Sequence, residues 1–147
     1  PNLEMFAEAF AMSTNPVCYN GDIFCVEDYQ KVCESFPELD AVMSGRGTLT
    51  NPALAREIRG GQALTKAELR KFHDLVYHTY RAEVSGDRNV LFKMKELWFY
   101  MGPLFANNKK YMKKIKKSEK CAVYESAVAE LFASEEAFFD PDNIKVL

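Results

Sequence analysis

Two short apolar runs of this chain each end in a glycine-containing polar turn, and a stretch with helical periodicity follows each turn. The first turn is Asn-Gly-Asp at positions 20–22, and the second is Gly-Arg-Gly at positions 45–47. This order predicts a strand, a turn and a helix, repeated once. Both predicted strands, residues 17–20 and 40–44, are apolar at successive positions, which is typical of a parallel sheet covered on both faces.

The number of these units limits the fold. In an eight-stranded (β/α)8 barrel the last two strands often form a phosphate site, but such a barrel usually needs about 250 residues. The chain has 147 residues, so we expect it to be part of a larger barrel protein. From Thr65 onward the sequence predicts only helices. We therefore predict an α/β plus all-α protein, with the C-terminal part of a TIM (β/α)8 barrel at residues 1–62 and a helical bundle at residues 63–147.

Local signals predict the ends of several helices. Asn51 followed by Pro52 is typical of an N-cap and the first residue of a helix. Thr65 and Glu68 form a capping-box pattern, which indicates another helix start. Trp98 lies on an apolar stripe with three- and four-residue spacing, so we predict that it packs in the core of the helical part.

The two polar turns have the composition of a phosphate-binding site. Glycine lets the backbone approach a phosphate closely and adopt positive φ angles. Arg46 can bind phosphate oxygens through two N–H groups, and Asn20 can donate a hydrogen bond from its amide. Neither turn alone is specific, because both compositions also occur in ordinary tight turns. At the ends of successive strands, the two turns together favour a phosphate-bearing ligand.

Lysines are concentrated in one segment, although the net charge of the chain is only −2. Seven lysines lie between positions 109 and 120, and acidic residues dominate after Cys121. Rows of lysine bind nucleic-acid phosphates by releasing counterions, without reading the base sequence. A solvated helix face is the alternative interpretation of this segment.

Cysteine and histidine positions do not form a familiar metal or disulfide pattern. The four cysteines include no C-x-x-C pair, and His73 and His78 do not complete a zinc pattern. We therefore expect no metal site, free and mostly buried thiols, and histidines at the surface or at the edge of the core. No apolar run approaches the roughly 18 residues of a membrane span, so we expect no membrane contact.

The segments around both turns resemble the seventh and eighth barrel units of the tRNA-dihydrouridine synthases. This resemblance rests on residues 19–24 (Tyr-Asn-Gly-Asp-Ile-Phe), residues 42–47 (Val-Met-Ser-Gly-Arg-Gly) and the Asn-Pro pair at 51–52. The helical part resembles the C-terminal domain of that family, including residues 93–100 (Lys-Met-Lys-Glu-Leu-Trp-Phe-Tyr). The resemblance covers almost the whole chain.

The resemblance implies a cytoplasmic, flavin-dependent oxidoreductase that uses FMN and NADPH to reduce the C5–C6 bond of a tRNA uridine. By this likeness, the residues that would line the phosphate end of FMN are Asn20, Gly21, Asp22, Gly45 and Arg46. The likeness also implies that the helical domain helps to hold tRNA. The residues for which we predict RNA contacts are Arg88, Lys93, Lys95, Lys109 and Lys113.

The chain departs from the family in its cysteines. The catalytic cysteine of the family, which protonates the uracil ring, lies on an earlier loop of the barrel, and no segment here matches its motif. We therefore assign no catalytic residue and predict that the chain alone does not catalyse the reaction. Cys25 stands where the family often has a helix-capping threonine. Cysteine is a weaker cap than threonine, and we expect this difference to cost about 1 kcal/mol of stability at that helix start.

Two other functions remain open from the sequence. The chain could be a stand-alone RNA-binding module in which the α/β part is only a scaffold. It could also belong to another FMN-dependent barrel enzyme that acts on a small molecule, because phosphate sites recur across barrels. The basic helical extension argues against the small-molecule enzyme. Titration with FMN, paired with gel shifts on tRNA, separates the RNA-binding module from the synthase.

Overall fold

The computed structural model describes residues 2–137, 139–141 and 143, and in these residues the chain is mostly helical with one small sheet. In chain order the elements are α1 (Leu3–Met12), β1 (Cys18–Asn20), α2 (Val26–Ser35), β2 (Ala41–Met43), α3 (Arg46–Thr50), α4 (Leu54–Ile58), α5 (Lys66–Glu83), α6 (Asp87–Met101), a 3-10 turn (Gly102–Leu104), α7 (Lys109–Lys117) and α8 (Cys121–Ala133). Among the described helices, none has both the length and the apolar character needed to cross a membrane.

The two predicted strands are confirmed, each slightly shorter than expected. Strands β1 and β2 pair in parallel, with Cys18 opposite Ala41 and Asn20 opposite Met43. Because the strands are parallel, the turns that follow them lie at the same edge of the sheet. The expectation that both faces are covered is wrong for the described residues. Tyr19 is buried on one face, whereas the side chain of Met43 is 54% exposed on the other.

Among the described residues, buried apolar side chains form two clusters. The smaller cluster joins the sheet to α2 and α4 through Tyr19, Ile23, Val32 and Leu54. The larger cluster lies among α5 to α8, and its largest fully buried side chains are Trp98, Tyr124, Phe105, Leu69, Leu91, Met94, Met101, Leu104 and Ile115. Trp98 is 0% exposed, so its predicted place in the core is confirmed.

The predicted helix start at Asn51 is wrong. Asn51 is the C-cap of α3, and the next helix begins later, at Leu54. The Asn51 side chain holds the tight connection between these helices instead. Its carbonyl oxygen accepts a hydrogen bond from the backbone N–H of Ala53 at 2.9 Å, and its amide donates to Glu57 at 2.8 Å.

The predicted capping box at the start of α5 is confirmed. The Glu68 N–H donates to the Thr65 hydroxyl oxygen at 3.2 Å, and the Thr65 N–H donates to the Glu68 carboxylate at 3.0 Å. Arg56 on α4 also binds this carboxylate through two N–H groups, at 2.7 and 3.0 Å. The Arg56 side chain and the Thr65 N–H lower the pKa of Glu68 to about 2. These contacts tie α4 to the first turn of α5.

Candidate phosphate site and basic surface

The structure brings the two predicted turns together at one edge of the sheet. The Arg46 guanidinium forms an ion pair with the Asp22 carboxylate. A second link joins the same turns, because the Ser44 hydroxyl donates to the Ile23 carbonyl oxygen at 3.1 Å. The predicted cofactor-binding residues that meet at this edge are Asn20, Gly21, Asp22, Gly45 and Arg46. We call these five residues the turn pair.

The predicted positive φ angles do not explain the glycines of these turns. Positive φ angles occur among the described glycines only outside the turns, so the backbone conformation does not require glycine here. Close approach requires it instead. A Cβ atom at Gly21 would lie 2.2 Å from the Tyr19 hydroxyl oxygen, and one at Gly47 would lie 1.9 Å from the Ile23 carbonyl oxygen. At Gly45 a Cβ atom would meet nothing within 4 Å, so the backbone there is open.

The donors of the turn pair fit a phosphate group. Among the backbone hydrogen bonds of the described residues, none is donated by the N–H of Gly45 or Arg46. The Arg46 side chain is largely exposed and can reach a ligand while it remains near Asp22. Asp22 itself does not fit as a phosphate ligand, because two anions repel each other. Its carboxylate can instead orient the guanidinium.

A cavity of about 430 Å³ opens beside the turn pair. Ile23 and Val42 supply part of its apolar wall, and Ser44 and Thr48 line it with hydroxyl groups. Arg59, near the end of α4, also lines this cavity. The sequence interpretation did not include this arginine, because no local motif connects it to the turns.

Cys25 is the N-cap of α2, and its partner in a capping box is Asp28. Its carboxylate accepts hydrogen bonds from the backbone N–H groups of Phe24 at 3.0 Å and of Cys25 at 3.3 Å. Burial raises the pKa of the Cys25 thiol to about 11. Among the described residues, no group of three or more His, Cys, Asp or Glu side chains is arranged to hold a metal ion.

The lysines of α7 face two different sides of the helix. Tyr111, Met112 and Ile115 are buried, and the lysines lie on the remaining surface. One set lines a groove of about 540 Å³ between α6 and α7, which we call the α6–α7 groove; its wall includes Phe99, Pro103, Lys109, Lys113, Lys116 and Lys117. On the other side, Lys114 forms an ion pair with Glu130 of α8.

The predicted RNA-binding residues fall into three places. Lys109 and Lys113 lie together in the α6–α7 groove. Arg88 and Lys95 line a separate cavity of about 450 Å³, where the Lys95 ammonium donates to the carbonyl oxygen of residue 118 at 2.6 Å. Lys93 is exposed on α6 and lines neither cavity. Four of the five residues therefore share a cavity with another predicted RNA-binding residue, and Lys93 does not.

A buried polar network lies in the larger core, and sequence reasoning missed it. His73 was expected at the surface or core edge, but it is only 2% exposed. The Trp98 indole N–H donates to the Tyr124 hydroxyl oxygen at 2.7 Å, and His73 Nε2 lies 2.6 Å from the same oxygen. His73 Nδ1 lies 2.8 Å from the Asp74 carboxylate. The only signal in the sequence was the position of His73 four residues after Leu69, on the buried face of α5.

The network fixes the protonation state of His73. An indole N–H can only donate, so the Tyr124 hydroxyl accepts from Trp98 and donates its own hydrogen to His73 Nε2. The imidazole then carries its hydrogen on Nδ1 and donates it to Asp74. Burial lowers the pKa of His73, which favours this neutral form. The network is structural, since Trp98, Tyr124 and His73 are buried among core side chains.

Comparison with known protein families identifies the family of this chain. The family model described as dihydrouridine synthase matches residues 8–139, which include both turns and the basic segment. The chain belongs to the dihydrouridine synthase family. The family predicted from the sequence is thereby confirmed. No curated protein sequence matches the chain significantly.

Dihydrouridine synthases are oxidoreductases that modify tRNA and generally depend on FMN. The match spans the sheet, all of the helices from α2 to α8 and the second half of α1. The turn pair and the α6–α7 groove thus both lie inside the segment that defines the family.

Proposed function

We propose that this chain is the part of a cytoplasmic tRNA-dihydrouridine synthase that holds the phosphate end of FMN and contacts tRNA. The complete enzyme reduces the C5–C6 bond of a tRNA uridine, and FMN, when bound, supplies hydride transfer with NADPH as the reductant. The observation that carries this proposal is the meeting of the two turns at one sheet edge in a chain of this family.

In this proposal the chain consists of two structural units. Residues 1–62 are the last two units of a TIM barrel, and residues 63–147 are a helical domain that binds tRNA. The parallel pairing of β1 with β2 supports the barrel assignment, because successive barrel strands pair in this way. The smaller buried cluster lies entirely in the first unit, and most of the larger cluster lies in the second.

Each residue of the turn pair has a role in this proposal. The Arg46 guanidinium and the backbone N–H groups of Gly45 and Arg46 bind phosphate oxygens. The Asn20 amide donates a further hydrogen bond from the end of β1. Gly21 allows the Tyr19 ring to pack over the turn. Asp22 orients Arg46 and weakens phosphate binding by its negative charge.

A comparison of FMN with riboflavin tests the phosphate site, because riboflavin lacks only the phosphate. Flavin fluorescence titrations on the intact chain measure both affinities. We expect Arg46→Gln to weaken FMN binding by roughly tenfold to a hundredfold, the equivalent of a charged hydrogen bond. Riboflavin binding stays unchanged. Asp22→Asn tightens FMN binding, because it removes a negative charge beside the phosphate.

Arg81→Gln is the matched control. Arg81 is also half-exposed and lies 3.5 Å from an aspartate, but it belongs to α5 and is outside the turn pair. If Arg46→Gln and Arg81→Gln change FMN affinity equally, or if FMN and riboflavin bind with equal affinity, the proposed phosphate site is wrong. Salt-sensitive tRNA binding without any flavin binding would favour the stand-alone RNA-binding module.

We further propose that the chain alone does not form dihydrouridine. Its four cysteines lie at the start of β1, at the start of α2, within α2 and at the start of α8. None of these positions carries the cysteine motif that the family resemblance requires. Incubation of the purified chain with FMN, NADPH and unmodified tRNA tests this, and measurable dihydrouridine would contradict it.

A further inference from the structure

An exposed aromatic ring stands at the edge of the α6–α7 groove. The Phe99 side chain is 56% exposed, although it lines the groove. Its ring stands edge-on against Tyr100, with ring centroids 5.3 Å apart and planes at 90°. The ring thus packs against one neighbour, and its exposed part offers an apolar surface to a ligand.

The groove beside this ring is strongly basic. Lys109, Lys113, Lys116 and Lys117 line it, and none of its described lining residues is acidic. Within the described residues, no carboxylate pairs with any of these four lysines. By contrast, Lys114 on the other side of α7 is neutralised by Glu130. The charge of the groove therefore complements an anion with several negative groups, such as a phosphate chain.

An aromatic surface beside unpaired lysines suits one form of nucleic acid best. In a double helix the bases stack on one another and offer no face to a side chain. In a single strand or a loop, the bases can stack on an aromatic ring while lysines bind the adjacent phosphates. Such stacking tolerates any base, because every base has an aromatic face.

We propose that Phe99 is a stacking platform for an unpaired RNA base, and that Lys109 and Lys113 bind the phosphates next to that base. This inference rests on the proposed function, because it concerns the surface that is proposed to contact tRNA. It adds that the groove recognises an unpaired nucleotide, whereas lysines alone would bind any RNA backbone.

Two labelled RNA probes test the inference by fluorescence anisotropy on the full chain. One is a single-stranded oligouridylate, and the other is a blunt RNA duplex of the same length. We expect Phe99→Ala to weaken binding of the single strand by roughly tenfold, as for other stacked bases, and to leave duplex binding unchanged. Phe92→Ala is the matched control, because Phe92 is 69% exposed on the same helix and lies outside the groove.

Two further measurements keep the result independent of folding. Circular dichroism and thermal melting of Phe99→Ala should match those of the unchanged chain, because the side chain is mostly exposed. An oligouridylate that carries 5-iodouridine should crosslink under ultraviolet light to the peptide that contains Phe99.

The phosphate contacts are tested by the salt dependence of binding. Lys113→Gln should lower the slope of log affinity against log salt concentration by about 1 for both probes, whereas Lys114→Gln should have a smaller effect.

The outcomes separate this inference from the proposed function. If both RNAs bind but Phe99→Ala affects neither, or weakens both equally, the stacking platform is wrong and the RNA surface stands. Failure of both RNAs to bind overturns the proposed RNA contact together with the platform. If polyglutamate binds in the groove and loses affinity with Phe99→Ala to the same extent, the groove is a docking site for acidic peptides, and the inference is overturned.

Discussion

Replacement of Tyr124 by phenylalanine removes one hydroxyl group from the centre of the larger core. This hydroxyl joins the Trp98 indole N–H, at 2.7 Å, to His73 Nε2, at 2.6 Å. All three residues are almost fully buried. Phenylalanine fills nearly the same volume, so the main effect of Tyr124→Phe is the loss of hydrogen-bond partners for two buried polar atoms.

The structure sets the size of the effect. A buried polar atom without a partner costs about 1–3 kcal/mol. Two such atoms would therefore lower the free energy of unfolding by about 2–6 kcal/mol. His73 keeps its hydrogen bond to Asp74, so its ring stays in place. We therefore expect the free energy of unfolding to fall by about 3 kcal/mol. For a chain of this size, the melting temperature should fall by about 6–12 °C.

Urea unfolding followed by Trp98 fluorescence measures this loss directly, because Trp98 is the only tryptophan and belongs to the network. Tyr111→Phe is the matched control. It breaks a single hydrogen bond, from the Tyr111 hydroxyl to Ser134 Oγ at 2.8 Å, in a less buried place. We expect that variant to lose about 1 kcal/mol or less. If Tyr124→Phe is no less stable than Tyr111→Phe, the reasoning about the buried network is refuted.

Two other predictions concern His73 and the glycines. Burial lowers the folded-state pKa of His73 below the unfolded value of 6.5, so the unfolded chain binds the proton first and stability falls as the pH drops below that value. Urea unfolding at a series of pH values below 6.5 measures this, and His73→Gln should make the free energy of unfolding depend less steeply on pH. His78 is exposed, so His78→Gln is the control and should leave the pH dependence as it is. If His73→Gln and the unchanged chain show equally steep slopes, the prediction is contradicted. Gly47→Ala should lower the free energy of unfolding by about 1–3 kcal/mol, because its Cβ would overlap the Ile23 carbonyl. Gly45→Ala should leave thermal stability unchanged, and equal melting temperatures for the two glycine variants would refute this.

Much of the local structure could be predicted from the sequence. The capping box at Thr65 and the apolar stripe through Trp98 depend on residues three or four positions apart, which meet within one helix. The same applies to the lysines of α7, whose exposure follows from the buried positions of Tyr111, Met112 and Ile115. The helix start at Asn51 was wrong because the same side chain can cap a helix or hold a turn between two helices.

The candidate site was only partly predictable. Composition indicated which residues could bind phosphate, and the parallel order of the strands indicated that the turns would meet. The ion pair between Asp22 and Arg46 joins residues 24 positions apart, and no local pattern reveals it. The close contacts at Gly21 and Gly47 likewise depend on how Tyr19 and the Ile23 carbonyl pack against the turns. The reason expected from the sequence for the glycine at position 21 is therefore wrong, because its φ angle is not positive.

By itself, the sequence determined the order of strands and helices, the concentration of lysines on one helix and the family. These are properties of neighbouring residues, and the backbone geometry of a helix or strand converts them into faces and ends. Only the tertiary structure decided which lysines share a groove with Phe99 and that His73 is buried. His73 and Tyr124 are 51 positions apart, and their contact exists because α5 and α8 pack on the same core. Such packing depends on the shapes of all the helices together.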